Sequence, residues 1–383
     1  MITNLRPIFK TALVLTACIL GTNAGRADNP TANSVSQNVE MPYSITSTKL
    51  GADMEGKTVY MSIYDTNQKV DSAIVKDGMF LIEGKIPESA HARLDLGREY
   101  ANFIAGEGDV TVDFEKHLPV KGNDINMAYN RLMTELKESD DKYFAMVDSL
   151  DKSGISKAEK LEKIRSLFEE YKPVWSKKFK DLAWENGNNG LGYVAVMKYY
   201  DLINNDHKMW EELYDGLSPW IKSHRQIKRV NKLMEAASAT SEGNMFADLT
   251  GETVDGKEAK LSDYVGHGKY VLVDFWASWC GPCIAEAKAT LIPLHEKYSG
   301  SENFMILGAA TWDNKAQTIK AIEKHGYKWE QLINLGETPM SVYGFSGIPQ
   351  IILFDPEGRI VSRSLRGDNL VNEVEKVAKL PAK

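Results

Sequence analysis

Two thiols stand three residues apart in Trp276-Ala277-Ser278-Trp279-Cys280-Gly281-Pro282-Cys283. That spacing lets one sulfur attack a disulfide while the other waits nearby to release the product. The 383-residue chain holds only three cysteines, and the third, Cys18, falls in a segment patterned like an export signal. Cys280 and Cys283 therefore have no other thiol to bond with in the folded protein, which favours redox chemistry over a disulfide scaffold. A free thiol titrates near ~8.5 and attacks only as the thiolate. The chemistry thus requires a setting that ionises Cys280, a sulfur that a client can reach, and an acceptor for the Cys283 proton when Cys283 resolves the mixed disulfide.

The elements around the pair meet the first and third requirements. Residues 270–275 form an apolar run that predicts a buried strand, and 284–298 have helical spacing. Cys280 is predicted at the first turn of that helix, where unpaired backbone N–H groups and the positive end of the dipole favour a thiolate. Pro282 suits a first turn because its missing N–H is not needed there. If the setting lowers the Cys280 pKa by roughly 1.5 units, the charged form gains about 2 kcal/mol. Asp274 sits near the end of the strand between Val273 and Phe275. A carboxyl buried at that place has a raised pKa and can accept the Cys283 proton near neutral pH.

These elements belong to a longer alternation. Strands at 271–275, 304–310, 350–354 and 359–362 alternate with helices at 284–298, 316–325 and 370–378, which predicts an α/β domain over 238–383. Residues 238–243, small and polar, read as its linker. In residues 41–122, Val59, Met61 and Ile63 alternate with Tyr60, Ser62 and Tyr64, and Asp77-Gly78 marks a type I′ hairpin between 73–76 and 79–82. This predicts a small antiparallel β-sandwich. Residues 123–237 switch to helical period, with Leu161, Ile164, Phe168, Tyr171 and Trp175 on one face. Ser156 with Glu159 offers a helix cap, and Pro173 predicts a kink or break.

Residues 1–27 carry a basic start (Arg6, Lys10), an apolar run over 11–21 and small residues at Ala24 and Ala27, the pattern of a signal peptide. Residues 28–40 read as a flexible lead-in. Leu15-Thr16-Ala17-Cys18 also resembles a lipobox. Two routes stay open, cleavage near Ala24 to Ala27 or a lipid anchor at Cys18, and both predict export to the periplasm or cell envelope. Beyond residue 27 there are 43 basic and 53 acidic residues, a formal charge of −10, so nucleic acid is a poor partner. The basic cluster Lys222, His224, Arg225, Lys228, Arg229 and Lys232 reads as a solvated helix face. Seven scattered histidines and two cysteines do not complete a zinc site. We expect no metal and no cofactor beyond the Cys280–Cys283 pair.

The residues also support a resemblance. Val271-Leu272-Val273-Asp274-Phe275-Trp276-Ala277, then Trp279-Cys280-Gly281-Pro282-Cys283, closely resembles thioredoxin. Tyr343-Gly344-Phe345-Ser346-Gly347-Ile348-Pro349 resembles the stretch that carries that fold's cis-proline. More narrowly, the domain is similar to the TlpA/ResA group of exported thiol–disulfide oxidoreductases, through Phe246-Ala247-Asp248-Leu249-Thr250, Gly256-Lys257 and Leu261-Ser262-Asp263-Tyr264. The resemblance covers about 140 residues. Lys288 departs from it where a proline is common, which puts the start of the helix in question. Residues 70–73 and 77–80 resemble an uncharacterised domain often fused ahead of such modules.

The resemblance implies a thioredoxin-like fold, a cis Ile348–Pro349 bond beside the cysteines, and substrate contacts from Trp279, Gly281, Pro282, Ile348 and Pro349. It places Glu286 as an acidic residue close to the site. It implies disulfide-containing client proteins, cytochrome c maturation among the group's roles, and a membrane-bound thiol donor. The Gly-Pro pair between the cysteines favours reduction. An alternative reading is a cell-envelope binding or scaffold protein whose thioredoxin-like disulfide is inert. A peroxidase is a third reading, and Ala277 stands where such enzymes carry a threonine.

Overall fold

The computed structural model describes residues 40–203 and 206–379, so the signal-like segment, Cys18 and nearly all of the lead-in lie outside the described residues. The described residues divide into two compact units, one with residues 40–203 and Glu212–Lys228, the other with residues 206–211 and 229–379.

The first unit begins with two four-stranded sheets. Its strands are β1 (Met41–Ser47), β2 (Thr58–Ile63), β3 (Gln68–Ile74), β4 (Leu81–Ile86), β5 (Ala90–Leu96), β6 (Glu99–Ala105), β7 (Gly108–Asp113) and β8 (Leu118–Gly122). They are ordered β4-β1-β7-β8 and β3-β2-β5-β6. Alternate residues from both sheets, among them Ile45, Val59, Met61, Leu94, Phe103 and Val110, are buried in one shared core. This is the sandwich that the period-two pattern predicts, with one departure, since β1 and β7 pair in parallel.

The Asp77-Gly78 turn also departs in part. Both residues have positive φ, 55° and 73°, and Lys76 and Met79 exchange backbone hydrogen bonds at 2.8 and 3.0 Å. The turn is therefore the predicted type. The flanking strands nevertheless part after that single bridge, β3 to one sheet and β4 to the other. Local turn chemistry does not say how far the two strands stay together.

Helices follow, α1 (Asp124–Lys152), α2 (Lys157–Glu185), α3 (Gly190–Ile203), α4 (His207–Asp215), α5 (Pro219–Ser223) and α6 (Arg225–Ala239). The Ser156 side chain caps α2, accepting from the Glu159 N–H at 3.2 Å. Pro173 does not break α2. Tyr171 before it donates to Asp140, and Trp175 after it donates to Ser139 at 2.9 Å. These contacts with α1 hold both sides of the proline in line and offset its lost bond. The basic cluster is not one solvated face. His224 separates α5 from α6 and is buried against the Trp220 and Tyr193 rings, whereas Arg225, Lys228, Arg229 and Lys232 are exposed.

In the second unit the elements are β9 (Thr250–Glu252), β10 (Glu258–Lys260), β11 (Tyr270–Trp276), α7 (Gly281–Glu286), a π-helical turn (Ala287–Leu291) and α8 (Ile292–Tyr298). Then come β12 (Phe304–Ala310), α9 (Lys315–His325), β13 (Glu330–Leu332), α10 (Thr338–Tyr343), β14 (Gln350–Phe354), β15 (Ile360–Ser362) and α11 (Gly367–Val377). The main sheet is ordered β13-β12-β11-β14-β15. β11 lies at its centre, parallel to β12 and antiparallel to β14. It is covered on both faces, which is why its sequence reads as a continuous apolar run. Val271, Val273 and Phe275 enter one core, and Leu272 and Trp276 enter the other with both cysteines.

Residues 238–243 are not a free linker. α6 runs to Ala239, Thr240 is buried, and the Arg363 guanidinium donates to the Ala237 and Thr240 carbonyls at 3.0 and 2.7 Å. The Gly243 N–H donates to Ile360 at 2.8 Å. Small polar residues read as a linker, but here they leave helix-end carbonyls open for an arginine.

Candidate active site

β11 delivers the chain to the sheet's end, and the turn Ala277 to Cys280 passes it to α7. Cys280 is the N-cap of α7, and its Sγ accepts from the Cys283 N–H at 3.1 Å. Gly281 and Pro282 form the first turn, where no helix bond from Pro282 is needed. Cys280 and Cys283 are joined as a disulfide, with Cα atoms 5.3 Å apart.

The turn is fixed from the β12 side. The Ser278 N–H and hydroxyl donate to the Asp313 carboxylate at 2.6 and 2.8 Å. The Trp279 indole N–H donates to the Trp312 carbonyl at 2.8 Å, and Trp312 itself has φ 54°. A bulky residue rarely adopts that backbone. Here it turns the Trp312 carbonyl toward the indole and leaves Trp279 62% exposed. Trp312 and Asp313 were not singled out from the sequence. Their place just after a strand parallel to β11 could have found them, because strand C-termini in such sheets share one edge with the site.

On the other side, the Ile348–Pro349 bond is cis. The Ile348 carbonyl lies 3.8 Å from Cys280 Sγ. Gly281 and Pro282 are exposed, but Cys280 keeps only 3% of its surface. The sulfur is thus more covered than an attacking group needs to be, between its bonded partner and the Ile348 carbonyl. Trp279, Gly281 and Pro282 form an exposed rim beside it.

Side chains alternate along β11, so Asp274 points to the same face as Leu272 and Trp276, toward the core that holds both cysteines. It is 2% exposed, and its Oδ1 has no hydrogen-bond partner. Burial pushes its pKa up to about 7, with Glu286 adding to the rise and Arg366 opposing it. Tyr327 is pushed up to about 12 by burial and by the Asp274 charge. Glu286 is engaged elsewhere. Its Oε1 accepts from the Gly367 N–H at 2.8 Å, at the start of α11, and from the Thr290 hydroxyl at 3.0 Å. Sequence reading also missed Gln331, a buried amide that accepts from the Trp276 indole at 3.1 Å. A lone glutamine in a short strand gives no signal of its own.

Residues 243–363 match the AhpC/TSA family, and residues 43–129 match a family described as a domain of unknown function, DUF4369. The chain is 27% identical over 125 residues to thiol-disulfide oxidoreductase ResA of Geobacillus thermodenitrificans, which spans 32% of this chain and 68% of that protein. It is 34% identical over 110 residues to thiol:disulfide interchange protein HelX of Rhodobacter capsulatus, covering 28% of this chain and 59% of the relative. The crystal structure of the thioredoxin domain of a thiol-disulfide oxidoreductase from Bacteroides vulgatus is 36% identical, with a TM-score of 0.33, over 36% of this chain and 96% of that one. A central strand that ends in a Cys-x-x-Cys turn, in a domain aligned to relatives of this kind, makes the chain a ResA-like thiol–disulfide oxidoreductase with a thioredoxin-like C-terminal domain.

Proposed function

We propose that the chain reduces disulfides of exported proteins, with Cys280 attacking, Cys283 resolving and Asp274 taking the Cys283 proton. The observation that carries this is the Cys280–Cys283 disulfide at the start of α7 with the Asp274 carboxyl buried on the same face of the sheet, where burial pushes its pKa up to about 7. Cys280 thiolate attacks one client sulfur, and the other leaves as a thiolate. Cys283 then passes its proton to Asp274, bonds to Cys280 and expels the second client sulfur. The client gains two electrons and the Cys280–Cys283 disulfide is left behind. A membrane-bound thiol donor returns those two electrons in our reading.

Trp279, Gly281 and Pro282 form the rim on which the client lies, with Ile348 and Pro349 opposite. The signal-like pattern of residues 1–27 supports placement in the periplasm or cell envelope, with lipidation at Cys18 as one route of attachment. Among the described residues no helix is long and apolar enough to cross a membrane. Exported apocytochromes c are one client class consistent with this reading.

Insulin reduction combined with a redox titration tests the proposal. Cys280→Ser should abolish reduction, and Cys283→Ser should accumulate mixed disulfides with clients in envelope extracts. The pair should titrate near the thioredoxin value of about −270 mV. A potential near the roughly −120 mV of DsbA, or activity that survives Cys280→Ser, would overturn it.

A further inference from the structure

Three residues lie in one row across three parallel strands. Asp274 on β11 stands opposite Gly308 on β12, and Gly308 stands opposite Gln331 on β13. Residues in such a row face the same side of the sheet. Asp274 and Gln331 thus both face the side that carries the disulfide, and the residue between them has no side chain.

The Gln331 amide fills that gap. A Cβ on Gly308 would lie 2.0 Å from Gln331 Oε1 and 2.6 Å from Nε2. Neighbouring strands are about 4.8 Å apart, so an amide lying over Gly308 is roughly one strand spacing from Asp274. Its orientation is set by Trp276, two residues beyond Asp274 on the same face, whose indole N–H donates to Oε1 at 3.1 Å. The flipped amide would put two donors face to face. Nε2 is then a buried donor without a partner, and Asp274 Oδ1 is a buried acceptor without one. In this structure the two atoms are not bonded to each other, and a turn of either side chain that brought them together would satisfy both.

We propose that Gln331 is a positioning residue whose NH2 group donates to the Asp274 carboxylate and holds it to receive the Cys283 proton. This rests on the reading of Asp274 as proton acceptor. In that step the Cys283 S–H proton moves to Asp274 and the Cys283–Cys280 bond forms. The Cys280–client bond breaks, and the client sulfur departs with its electron pair. Gln331 exchanges neither proton nor electron. The other titratable and charged groups around Asp274 are Glu286 from α7, Arg366 from the segment before α11, Tyr327 from the segment after α9, and the two cysteines.

The test is the pH profile of insulin reduction, together with the carboxyl titration of Asp274 followed by carbon-13 NMR, in the full chain. Gln331→Leu removes the donor. Gln331→Met has a similar length and volume and also removes the donor, so it serves if the leucine variant does not fold. Both should raise the Asp274 midpoint by about one pH unit, because a hydrogen bond to the charged form is lost. The corresponding limb of the rate profile should follow, slowing reduction about fivefold at pH 7. A purely structural role would lower stability and leave that midpoint in place. An unmoved midpoint in a folded variant, with the limb still abolished by Asp274→Asn, overturns the role of Gln331 alone. A limb that survives Asp274→Asn overturns the proton-acceptor reading and this inference with it.

Discussion

A carboxyl placed as Asp274 is costs the fold something, and the cost depends on pH. Burial holds its folded pKa near 7, against an ordinary value of 3.8. Between those two values the folded chain binds a proton that the unfolded chain has released, so stability falls as pH rises through this window and levels off above it. The gap corresponds to about 4 kcal/mol at pH 8. Asp274→Asn removes the charge and keeps the shape. The variant should match wild type near pH 4 and exceed it by up to a few kcal/mol at pH 8, less whatever the buried amide costs. Urea unfolding at several pH values measures this, and a difference that stays constant with pH would sink it. A group kept at such expense on the disulfide's face fits the proton transfer with Cys283 that we propose.

At the scale of elements, the site depends on the turn after β12 as much as on the Cys-x-x-Cys turn itself. Asp313 accepts from the Ser278 N–H, the Ser278 hydroxyl, the Asn314 N–H and the Thr318 hydroxyl, all within 2.6–2.9 Å. Asp313→Ala leaves those donors without their acceptor and should destabilise the C-terminal unit by about 2–3 kcal/mol. It should also slow client reduction by loosening the loop under Trp279, and denaturant unfolding alongside insulin turnover separates the two effects. Little of this was legible. The strands β11, β12 and β14 announce themselves as apolar runs, and Cys280, Cys283 and Asp274 were found because their types and spacing are chemically unusual. Asp313 and Gln331 act through contacts made only when distant segments meet. The helix after the cysteines was readable, including Cys280 and Pro282 at its first turn, but not that it passes through a π-helical turn at Ala287–Leu291. That turn has a cause in Pro293, which follows it at the start of α8 and cannot donate to the Ala289 carbonyl. Thr290 adds to it by bonding the Glu286 carbonyl at 2.9 Å. Pro173 shows the converse, a proline that packing on both sides keeps within one helix.

On the scale of the whole molecule, the described residues form two units with cores of their own, Ile45, Met61, Leu94 and Phe103 in one, Leu272, Trp276, Leu291 and Leu353 in the other. Composition told the sandwich, helical and α/β stretches apart by period. It did not show that α6 continues past Arg229 into the second unit, because one amphipathic pattern runs through the division. The sole disulfide among the described residues lies in the second unit and closes a loop of sequence separation 3. On chain-entropy grounds a loop that small stabilises the folded state by about 2 kcal/mol. Reduction should therefore lower protection against hydrogen exchange in residues 229–379 by a comparable amount and leave the sandwich strands β1 to β8 at their oxidised values. Mass-spectrometric exchange on the full chain, with and without reductant, reads both units in one experiment. Equal loss of protection in the two would mean that they unfold as one body, and the redox state of Cys280 and Cys283 would then be felt by the sandwich as well.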